Sequence, residues 1–420
     1  MKHIFVGIDG TSNSAFYDKF RTNVYRMNLA LDHKDRRGRP QLYIYSAGVG
    51  VSFNENFALL GKAFGQGIDE IILEAYVNLV SNYEPGDQIY IFGFSRGAIA
   101  ARALSGLISH SGLLKTEYSV MIEEAWKYFV GEESDIPYGN IKRRMTHRDV
   151  KIRFLGVWDT VYGFEEKPPE EDRFTRLRMR NLKLDASVTT GVHVLSLDDS
   201  RRYFHPFLWE GVSHRRQNME QIWSPGVHSD VGGGQERDFL STLSLLTMID
   251  RLREHCPDVK FDAAYVKEFV IGSLRKEHVI VNDEWRDYNA PGDQRWQRQV
   301  SEHADAMKQY VHPIVALLSG TDVELRGAPA KYYPTNVWFQ SGFTLPLATF
   351  PKGSVYASLE PKLQRRLKPK PVPPKPRGGP RQAKAAQNTT STTHGTSSTM
   401  RLIVRIFRLR LSRALSSEPT

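Results

Sequence analysis

Ser95 has a glycine two residues before it, Gly93, and another two residues after it, Gly97. This G-x-S-x-G pattern is typical of serine nucleophiles, because small residues at those positions let the backbone make the sharp turn that exposes the hydroxyl. With average residue usage the pattern arises by chance in about one chain in ten of this length, so on its own it is weak. The sequence on either side of it carries more information.

An apolar run, residues 88–92, leads into the pattern, and an alanine-rich run, residues 98–104, follows it. These runs predict a strand and a helix, which is the context that a nucleophilic serine requires. Ser95 would then lie at a helix N-terminus, where backbone N–H groups, beginning with that of Arg96, can stabilise the oxyanion of acyl transfer. A glycine-flanked serine in an ordinary tight turn is the alternative.

A serine hydroxyl needs a base to accept its proton, and the chain has 13 histidines. His228 is distinctive because it lies in a glycine-rich loop, residues 225–234, that follows a predicted strand and contains Gly232 and Gly233. Such glycines let the backbone turn closely around the histidine and present its ring at the carboxyl edge of a sheet. A glycine-rich turn with an incidental histidine is the alternative.

The histidine in turn needs a carboxylate that fixes its tautomer and stabilises its charged form. Asp159 follows an apolar predicted strand and gives the chain order Ser, Asp, His. Asp230 is the rival because it lies two residues from His228, although residues that close usually serve turn geometry. Asp198 and Asp199 are weaker rivals.

The first predicted strand ends in Asp9-Gly10-Thr11, which is similar to the end of the D-x-D-G-T motif of haloacid-dehalogenase phosphatases. In that motif the nucleophilic aspartate stands two residues earlier, where this chain has Gly7, so a phosphatase would lack its nucleophile and its metal site. The favoured interpretation is a loop in which Gly10 or Thr11 supplies a second oxyanion N–H, with Asp9 and Asn13 holding the turn. A plain Asx-type turn is the alternative.

Taken in order, the motifs between about residue 4 and residue 250 resemble one family, the bacterial α/β-hydrolases typified by the Tle-type lipase effectors of type VI secretion. These motifs are Asp9-Gly10-Thr11 with Asn13, Gly48-Val49-Gly50, Gly65 with Gly67, Pro85-Gly86-Asp87, Gly93 to Ala98, Trp158-Asp159-Thr160-Val161 and Pro225 to Gly234. The resemblance implies a Ser-Asp-His phospholipase or related esterase with Ser95, Asp159 and His228 at the matching positions. The chain departs from the larger effectors in showing no long membrane-anchoring domain and in its basic tail, which leaves substrate and delivery route open.

Strand patterns alternate with helical ones along the first 250 residues. Strands are predicted over His3–Ile8, Gln41–Ser46, Gln88–Phe94, Lys151–Trp158 and Met219–Trp223, and helices over Ile68–Val80, Ile99–Ile108, Tyr118–Val130 and Phe239–Leu252. This alternation predicts an α/β fold of the α/β-hydrolase type, with a mostly parallel sheet and helices on both faces.

The chain divides into four predicted regions. They are a catalytic domain at 1–270 with possible lid segments at 112–149 and 163–185, a C-terminal extension packed on the core at 271–360, a linker at 361–400 that is first Pro/Lys-rich and then Ser/Thr-rich, and a basic amphipathic tail at 401–420. The Pro/Lys-rich part of the linker is expected to favour an extended polyproline form, and the basic tail is expected to be disordered.

The net charge of +10 belongs to the C-terminal end. Residues 361–420 contain 14 Lys and Arg and one acid, which leaves 43 basic and 46 acidic residues in residues 1–360. A near-neutral catalytic part argues against nucleic acid as a partner. Residues 400–413 alternate basic and apolar types, which on a helix would suit an anionic membrane surface. A solvated disordered end is the alternative.

Cys256 is the single cysteine, so the chain has no intrachain disulfide or cysteine metal cluster and suits a reducing compartment.

The N-terminal apolar run, residues 3–8, is too short for a signal peptide, and no run reaches the roughly 18 apolar residues of a membrane span. We therefore expect a cytoplasmic protein on synthesis, with export by a Sec-independent system left open. The mechanism requires no cofactor, and no His, Asp or Glu spacing demands a metal.

Lipid ester hydrolysis is the leading functional hypothesis, with a phospholipid or another ester as substrate. Secretion machinery and an immunity protein are possible partners that the resemblance suggests. A soluble carboxylesterase for short acyl chains is one alternative, and a non-enzymatic protein that binds membranes through its basic tail is another. The order of the predicted triad argues against a purely binding role, because a scaffold has no need of it.

Overall fold

A computed structural model of the chain describes residues 1–11, 13–15, 18–48, 67–162, 177, 182–275, 279–284, 295–298, 307–334, 336, 338–339, 342–343 and 345–367. The strands in these ranges are β1 (His3–Ile8), β2 (Gln41–Ser46), β3 (Gln88–Phe94), β4 (Ile152–Trp158), β5 (Lys183–Leu184), β6 (Thr190–Ser196), β7 (Gly211–Val212), β8 (Asn218–Ser224), β9 (Ile280–Val281), β10 (Gln309–Val311), β11 (Asp322–Leu325), β12 (Ala328–Lys331), β13 (Trp338–Phe339) and β14 (Gly342–Phe343). Seven of them form the central sheet in the order β10-β8-β6-β4-β3-β1-β2. Every neighbouring pair in it is parallel.

Helices cover both faces of this sheet. The α-helices of the described residues are α1 (Asn23–Ala30), α2 (Ile68–Asn82), α3 (Arg96–Ser111), α4 (Ile122–Val130), α5 (Tyr138–Met145), α6 (His228–Gly232), α7 (Phe239–His255), α8 (Ala263–Tyr265), α9 (Pro313–Leu318) and α10 (Val355–Leu367). Short 3-10 turns occur at Thr116–Met121, Arg202–Phe204 and Ser273–Arg275, and a π-turn at Val266–Val270. No helix among the residues described combines the length and the apolar character that crossing a membrane would need.

The alternation of side chains along β1 shows how the two faces are built. Ile4, Val6 and Ile8 pack in one apolar cluster with α2 and α3, whereas Phe5 belongs to a second cluster with α1 and α7. All four side chains are fully buried. Since successive side chains of a strand point to opposite faces, a strand that is apolar throughout must be covered on both sides.

The predicted α/β class is confirmed, and β1, β2 and β3 have the predicted bounds. The sequence patterns missed α1, β6 and β10. β6 is fully buried between β4 and β8, but Gly191, His193 and Ser196 interrupt its apolar pattern. β10 comes from the predicted C-terminal extension and forms one edge of the central sheet.

Residues 112–149 lie at the end of the sheet opposite to Ser95. Helix α3 starts directly after Ser95 and carries the chain back, over about 24 Å at 1.5 Å per residue, to the edge where β3 and β4 begin. There α4 packs on the end of α3, and the Tyr138 hydroxyl donates to the Ser111 carbonyl. Residues 112–149 therefore do not suit a lid over Ser95. Most of the other proposed lid, 163–185, lies outside the described residues.

Helix α10 corrects one predicted boundary. The linker was expected to begin at residue 361, but residues 361–367 are helical and Pro361 lies inside the helix. The helix is held because the Asp250 carboxylate accepts hydrogen bonds from its first two N–H groups, and because Leu359 and Leu363 are buried. The remainder of the predicted linker and the basic tail lie outside the described residues.

Candidate active site

Ser95 occupies the turn between β3 and α3 in a strained backbone conformation, with φ 58° and ψ −127°. Positive φ is costly for a residue with a Cβ atom, so such a turn persists only where its surroundings enforce it. The Ser95 N–H donates to the Trp158 carbonyl at the end of β4, at 3.1 Å. The side chain is thereby held at the carboxyl edge of the sheet, where open α/β sheets bind their ligands.

The two flanking glycines are required by close backbone approaches. A Cβ atom on Gly97 would collide with the carbonyl oxygens of Ile8 and Asp9, and a Cβ atom on Gly93 would lie 2.5 Å from the Gly97 carbonyl oxygen. The first turn of α3 can therefore approach the end of β1 only without a side chain at residue 97. The sequence pattern and the packing have the same steric cause.

Replacing Gly97 with alanine is expected to lower the free energy of unfolding by about 2–3 kcal/mol, because backbone atoms cannot yield as a flexible side chain can. Gly211→Ala is the matched control, since a Cβ atom there meets nothing within 4 Å. It should change the free energy of unfolding by no more than about 0.5 kcal/mol. Urea unfolding followed by tryptophan fluorescence measures both, and equal stability of the two variants would contradict the packing argument.

Asp159 directly follows β4, is fully buried and also has a positive φ, 39°. Its Oδ2 accepts a hydrogen bond from His228 Nδ1 at 2.6 Å, and its Oδ1 accepts one from the Ser196 N–H at 2.9 Å. The guanidinium of Arg298 adds two more, from Nη1 to Oδ1 at 2.6 Å and from Nη2 to Oδ2 at 3.0 Å. Burial alone would raise the pKa of Asp159, but the charge of Arg298 and the hydrogen bonds from His228 and Arg298 hold it well below its usual range.

His228 begins the short helix α6 after β8, and its ring is nearly enclosed. It lies against the ring of Phe94, with centroids 4.5 Å apart, and against that of Phe204, with centroids 5.2 Å apart. Because Asp159 is an ionised acceptor, Nδ1 must carry the hydrogen of their bond, which makes Nε2 the proton-accepting nitrogen. Phe94 precedes Ser95, so the aromatic contact places the imidazole beside the turn.

The glycines of the histidine loop serve this contact. The ring of Phe94 fills the space that a side chain on Gly232 would need, and Gly233 has a φ of 86°, which favours glycine. A Cβ atom on Gly233 would also lie 3.0 Å from the backbone of Thr22. Both predicted glycines therefore let α6 approach the strand that carries the serine.

The rival carboxylates bind the backbone of the histidine loop and leave the imidazole to Asp159. Asp198 Oδ2 accepts from the Gly226 N–H at 2.6 Å, and Asp199 Oδ2 accepts from the His228 N–H at 3.2 Å. Asp230 Oδ2 accepts from the Val227 N–H at 3.0 Å. These three residues fix the path of the loop, and the ring partner of His228 is Asp159.

Asp9 holds the loop after β1 in place. Its Oδ2 accepts hydrogen bonds from the hydroxyls of Thr22 and Tyr45, both at 2.8 Å, and its Oδ1 accepts one from the Gly10 N–H at 2.8 Å. Burial raises its pKa to about 6. The Gly10 N–H is thus already engaged, which leaves Thr11 as the residue of this loop that we expect to assist Arg96.

Asn13 closes the same turn, since its N–H donates to the Gly10 carbonyl at 2.9 Å and its own carbonyl accepts from the Gly48 N–H at 3.0 Å. Asp9 and Asn13 therefore hold this loop as expected from the sequence. In the described part of the chain, no group of three or more His, Cys, Asp or Glu side chains has a geometry that could hold a metal ion.

Sequence reasoning did not find Arg298. It lies 139 residues beyond Asp159, in a part of the chain to which no motif drew attention. A lone arginine in a segment of mixed composition carries no signal of burial, because arginine is normally exposed. Only the folded chain brings its guanidinium to the carboxylate.

The parallel sheet, the serine on a strained strand-to-helix turn and the buried Asp–His pair at the same edge define a protein of the α/β-hydrolase type. The chain belongs to the Tle1-like phospholipase effectors of the type VI secretion system, and residues 2–251 match the catalytic domain of that family. Arg298 and β10 lie beyond the matched residues.

Three proteins illustrate the similarity. An uncharacterized protein of Saccharomyces cerevisiae is 32% identical over an alignment of 186 residues that covers 38% of this chain and 26% of that protein, so the chain spans about a quarter of that relative. A crystal structure of an uncharacterized protein from Pseudomonas aeruginosa aligns with a TM-score of 0.35 at 18% identity, over 62% of this chain and 46% of that one. The Tle1 effector bound to the VgrG spike of the type VI secretion system aligns with a TM-score of 0.32 at 20% identity, over 55% of this chain and 51% of that one.

Proposed function

We propose that the chain is a serine esterase that hydrolyses phospholipids, with Ser95 as nucleophile, His228 as general base and Asp159 as the residue that orients the histidine. The observation that carries the proposal is the 2.6 Å hydrogen bond from His228 Nδ1 to the buried carboxylate of Asp159. A fixed Nδ1–H leaves Nε2 as the proton acceptor for the serine hydroxyl. The lipid substrate is inferred from the family, whose members are described as phospholipase effectors.

In the first half of the reaction, Ser95 Oγ bonds to the carbonyl carbon of the ester while its proton passes to His228 Nε2. The carbonyl oxygen becomes an oxyanion, for which we propose the N–H of Arg96 at the start of α3 and that of Thr11 as donors. The C–O bond to the alcohol then breaks, and Nε2 returns the proton to the leaving oxygen.

In the second half, water attacks the acyl group on Ser95 and gives its proton to His228 Nε2. The bond to Ser95 Oγ breaks, the serine recovers its proton, and a free fatty acid leaves. Asp159 stays ionised throughout and stabilises the imidazolium that forms in each half.

Release of fatty acid from mixed phospholipid vesicles tests this function, with p-nitrophenyl esters of several chain lengths and the Ser95→Ala variant in parallel. We expect serine-dependent release from vesicles and a preference for long chains. Cleavage of short esters alone would indicate the soluble carboxylesterase instead. Absence of both activities in folded protein would overturn the proposal.

Delivery and membrane contact are further parts of the proposal. Membership of an effector family supports export by the type VI machinery, with an immunity protein and the secretion apparatus as partners.

The basic tail is proposed to attract an anionic bilayer, each Lys or Arg near the surface contributing about 1 kcal/mol. Deleting residues 368–420 leaves α10 intact, and unchanged vesicle binding by that variant would remove the tail from the proposal.

A further inference from the structure

Arg298 is a buried cation whose hydrogen bonds are directed at the candidate active site. Its Nη1 and Nη2 contact the two oxygens of Asp159 at 2.6 and 3.0 Å, and both side chains are wholly buried. The same two nitrogens donate to the carbonyls of Ser196 at 2.8 Å and Phe204 at 2.7 Å. The guanidinium is thus fixed from both sides, and its plane fixes the carboxylate.

Burying the two charges of such an ion pair costs desolvation free energy. Removing one partner destabilises the fold further, because it leaves the other charge buried and unpaired. The carboxylate of Asp159 already accepts bonds from His228 and from the Ser196 N–H, so a third donor is not required to satisfy it. What Arg298 adds is a permanent positive charge and a two-pronged geometry that allows one orientation of the carboxylate. Both properties act on His228 through Asp159.

The rest of the C-terminal extension supports the same loop. Asn282 donates its backbone N–H to Asp230 at 3.0 Å, Glu284 accepts the Ser229 N–H at 2.9 Å, and the Tyr332 hydroxyl donates to Asp198 at 2.9 Å. These contacts lie on both sides of His228. Residues beyond the family-matched range therefore complete the surroundings of the Asp–His pair.

We propose that Arg298 is a positioning residue for the hydrolysis: its two terminal nitrogens hold the Asp159 carboxylate in contact with His228 Nδ1, and its charge compensates that of the carboxylate. The inference rests on the proposed function. Burial raises the pKa of Asp159, and the charge of Arg298 opposes that effect. Loss of the charge should therefore raise the pH at which the carboxylate takes up a proton and no longer orients the imidazole.

Other charged and titratable groups face the pair from the neighbouring elements. Asp198, Asp199, Arg201, His193 on β6 and His205 after the Arg202–Phe204 turn each act electrostatically on Asp159, His228 or Arg298. Asp230 and Glu284 contact the backbone of the histidine loop. All of these residues are retained when Arg298 alone is replaced. A comparison of Arg298 variants with the wild type therefore isolates the guanidinium.

The test is the pH dependence of kcat/KM for ester hydrolysis by the full chain, compared among wild type, Arg298→Gln, Arg298→Lys and Arg295→Gln. Arg298→Gln should lose about 100-fold in kcat with little change in KM, since a misplaced base costs about that much. The acid limb of its pH–rate profile should move up by about one pH unit, because the positive charge beside Asp159 has been removed. Arg298→Lys keeps the charge but not the fork, so it should lose kcat while its acid limb stays near that of the wild type.

Arg295→Gln is the matched control, because Arg295 lies on the same short segment as Arg298, residues 295–298, but pairs with Asp283 at 2.8 Å. It should resemble the wild type in rate and in pH profile. Titration with a fluorophosphonate that labels the active serine gives the folded, competent fraction of each variant, so partial misfolding lowers the amplitude and leaves the pH limb unaffected.

Two outcomes overturn the inference, and a third overturns the proposed function on which it rests. An Arg298→Gln profile that superimposes on the wild-type profile removes the charge role, and equal shifts in Arg298→Gln and Arg298→Lys do the same. If Ser95→Ala hydrolyses the ester as fast as the wild type, the proposed function itself fails. If Ser95→Ala is inactive but the acid limb of the Arg298→Gln profile does not move, only the role proposed for Arg298 is wrong.

Discussion

Ser95→Ala is expected to lower ester turnover by about 10⁴-fold or more while the protein stays folded. The change removes the oxygen that we propose forms the acyl bond, but it keeps the Cβ atom and the N–H that bonds the Trp158 carbonyl. Alanine also tolerates the strained turn no worse than serine does, since both carry a Cβ atom. The loss should therefore appear in kcat with almost none in stability.

A second serine variant separates chemistry from general damage. Ser358 lies on α10, where its hydroxyl donates to the Val355 carbonyl at 2.7 Å and its side chain is exposed. Ser358→Ala should retain wild-type turnover and react with a fluorophosphonate probe, whereas Ser95→Ala should do neither. Hydrolysis at the wild-type rate by folded Ser95→Ala would rule out Ser95 as the nucleophile.

The serine turn was predictable because all its determinants are local. An apolar strand, a glycine on each side of the serine and an alanine-rich helix occupy fewer than twenty consecutive residues, and each has its own sequence signal. The collision that a side chain at Gly97 would cause with the end of β1 is the physical origin of the pattern. Local pattern and tertiary packing agree here.

The partner of the histidine was harder to choose from sequence. Asp230 is two residues from His228, yet its carboxylate accepts the Val227 N–H, while Asp159, far away in the chain, reaches the ring. Distance along the chain is a poor guide when parallel strands bring their carboxyl ends to one edge. The order of motifs identified Asp159, and proximity alone would have given Asp230.

Contacts that depend on long-range packing left no readable trace. β6 is buried on both faces, but its glycine, histidine and serine hide the strand pattern. Arg298 and β10 come from a segment whose composition indicates order without a role. Asp159 lies 139 positions before Arg298, and the β8 partner of Gln309 in β10 is Gln221, so a single sequence does not display these pairings.

Asp159→Asn is expected to lower kcat by about 10⁴-fold, the loss that the equivalent change causes in a Ser-His-Asp protease. The amide has one acceptor oxygen and one NH₂ group, so it cannot satisfy the donors of His228, Ser196 and Arg298 together. An imidazole that faces the NH₂ group must turn its other tautomer toward it and so loses its base at Nε2. Asp230→Asn is the matched control and should lose about tenfold at most, because that carboxylate holds backbone. If Asp230→Asn lost more activity than Asp159→Asn, Asp230 would be the residue that orients His228.

The same variant carries a second signature in stability. Without the carboxylate, the charge of Arg298 is buried and unpaired, which should cost about 3–5 kcal/mol in the free energy of unfolding.

The pKa of Asp159 is held well below its usual range, against the effect of burial, chiefly by the charge of Arg298. A carboxylate with a lowered pKa stabilises the fold at every pH above its unfolded value of about 3.9, and this contribution disappears only as the pH falls through the folded value. The stability difference between wild type and Asp159→Asn should therefore be constant between about pH 5 and 8 and shrink below about pH 4. Urea unfolding across that range measures it, and a difference that instead grows on acidification would mean that Asp159 is protonated in the folded protein.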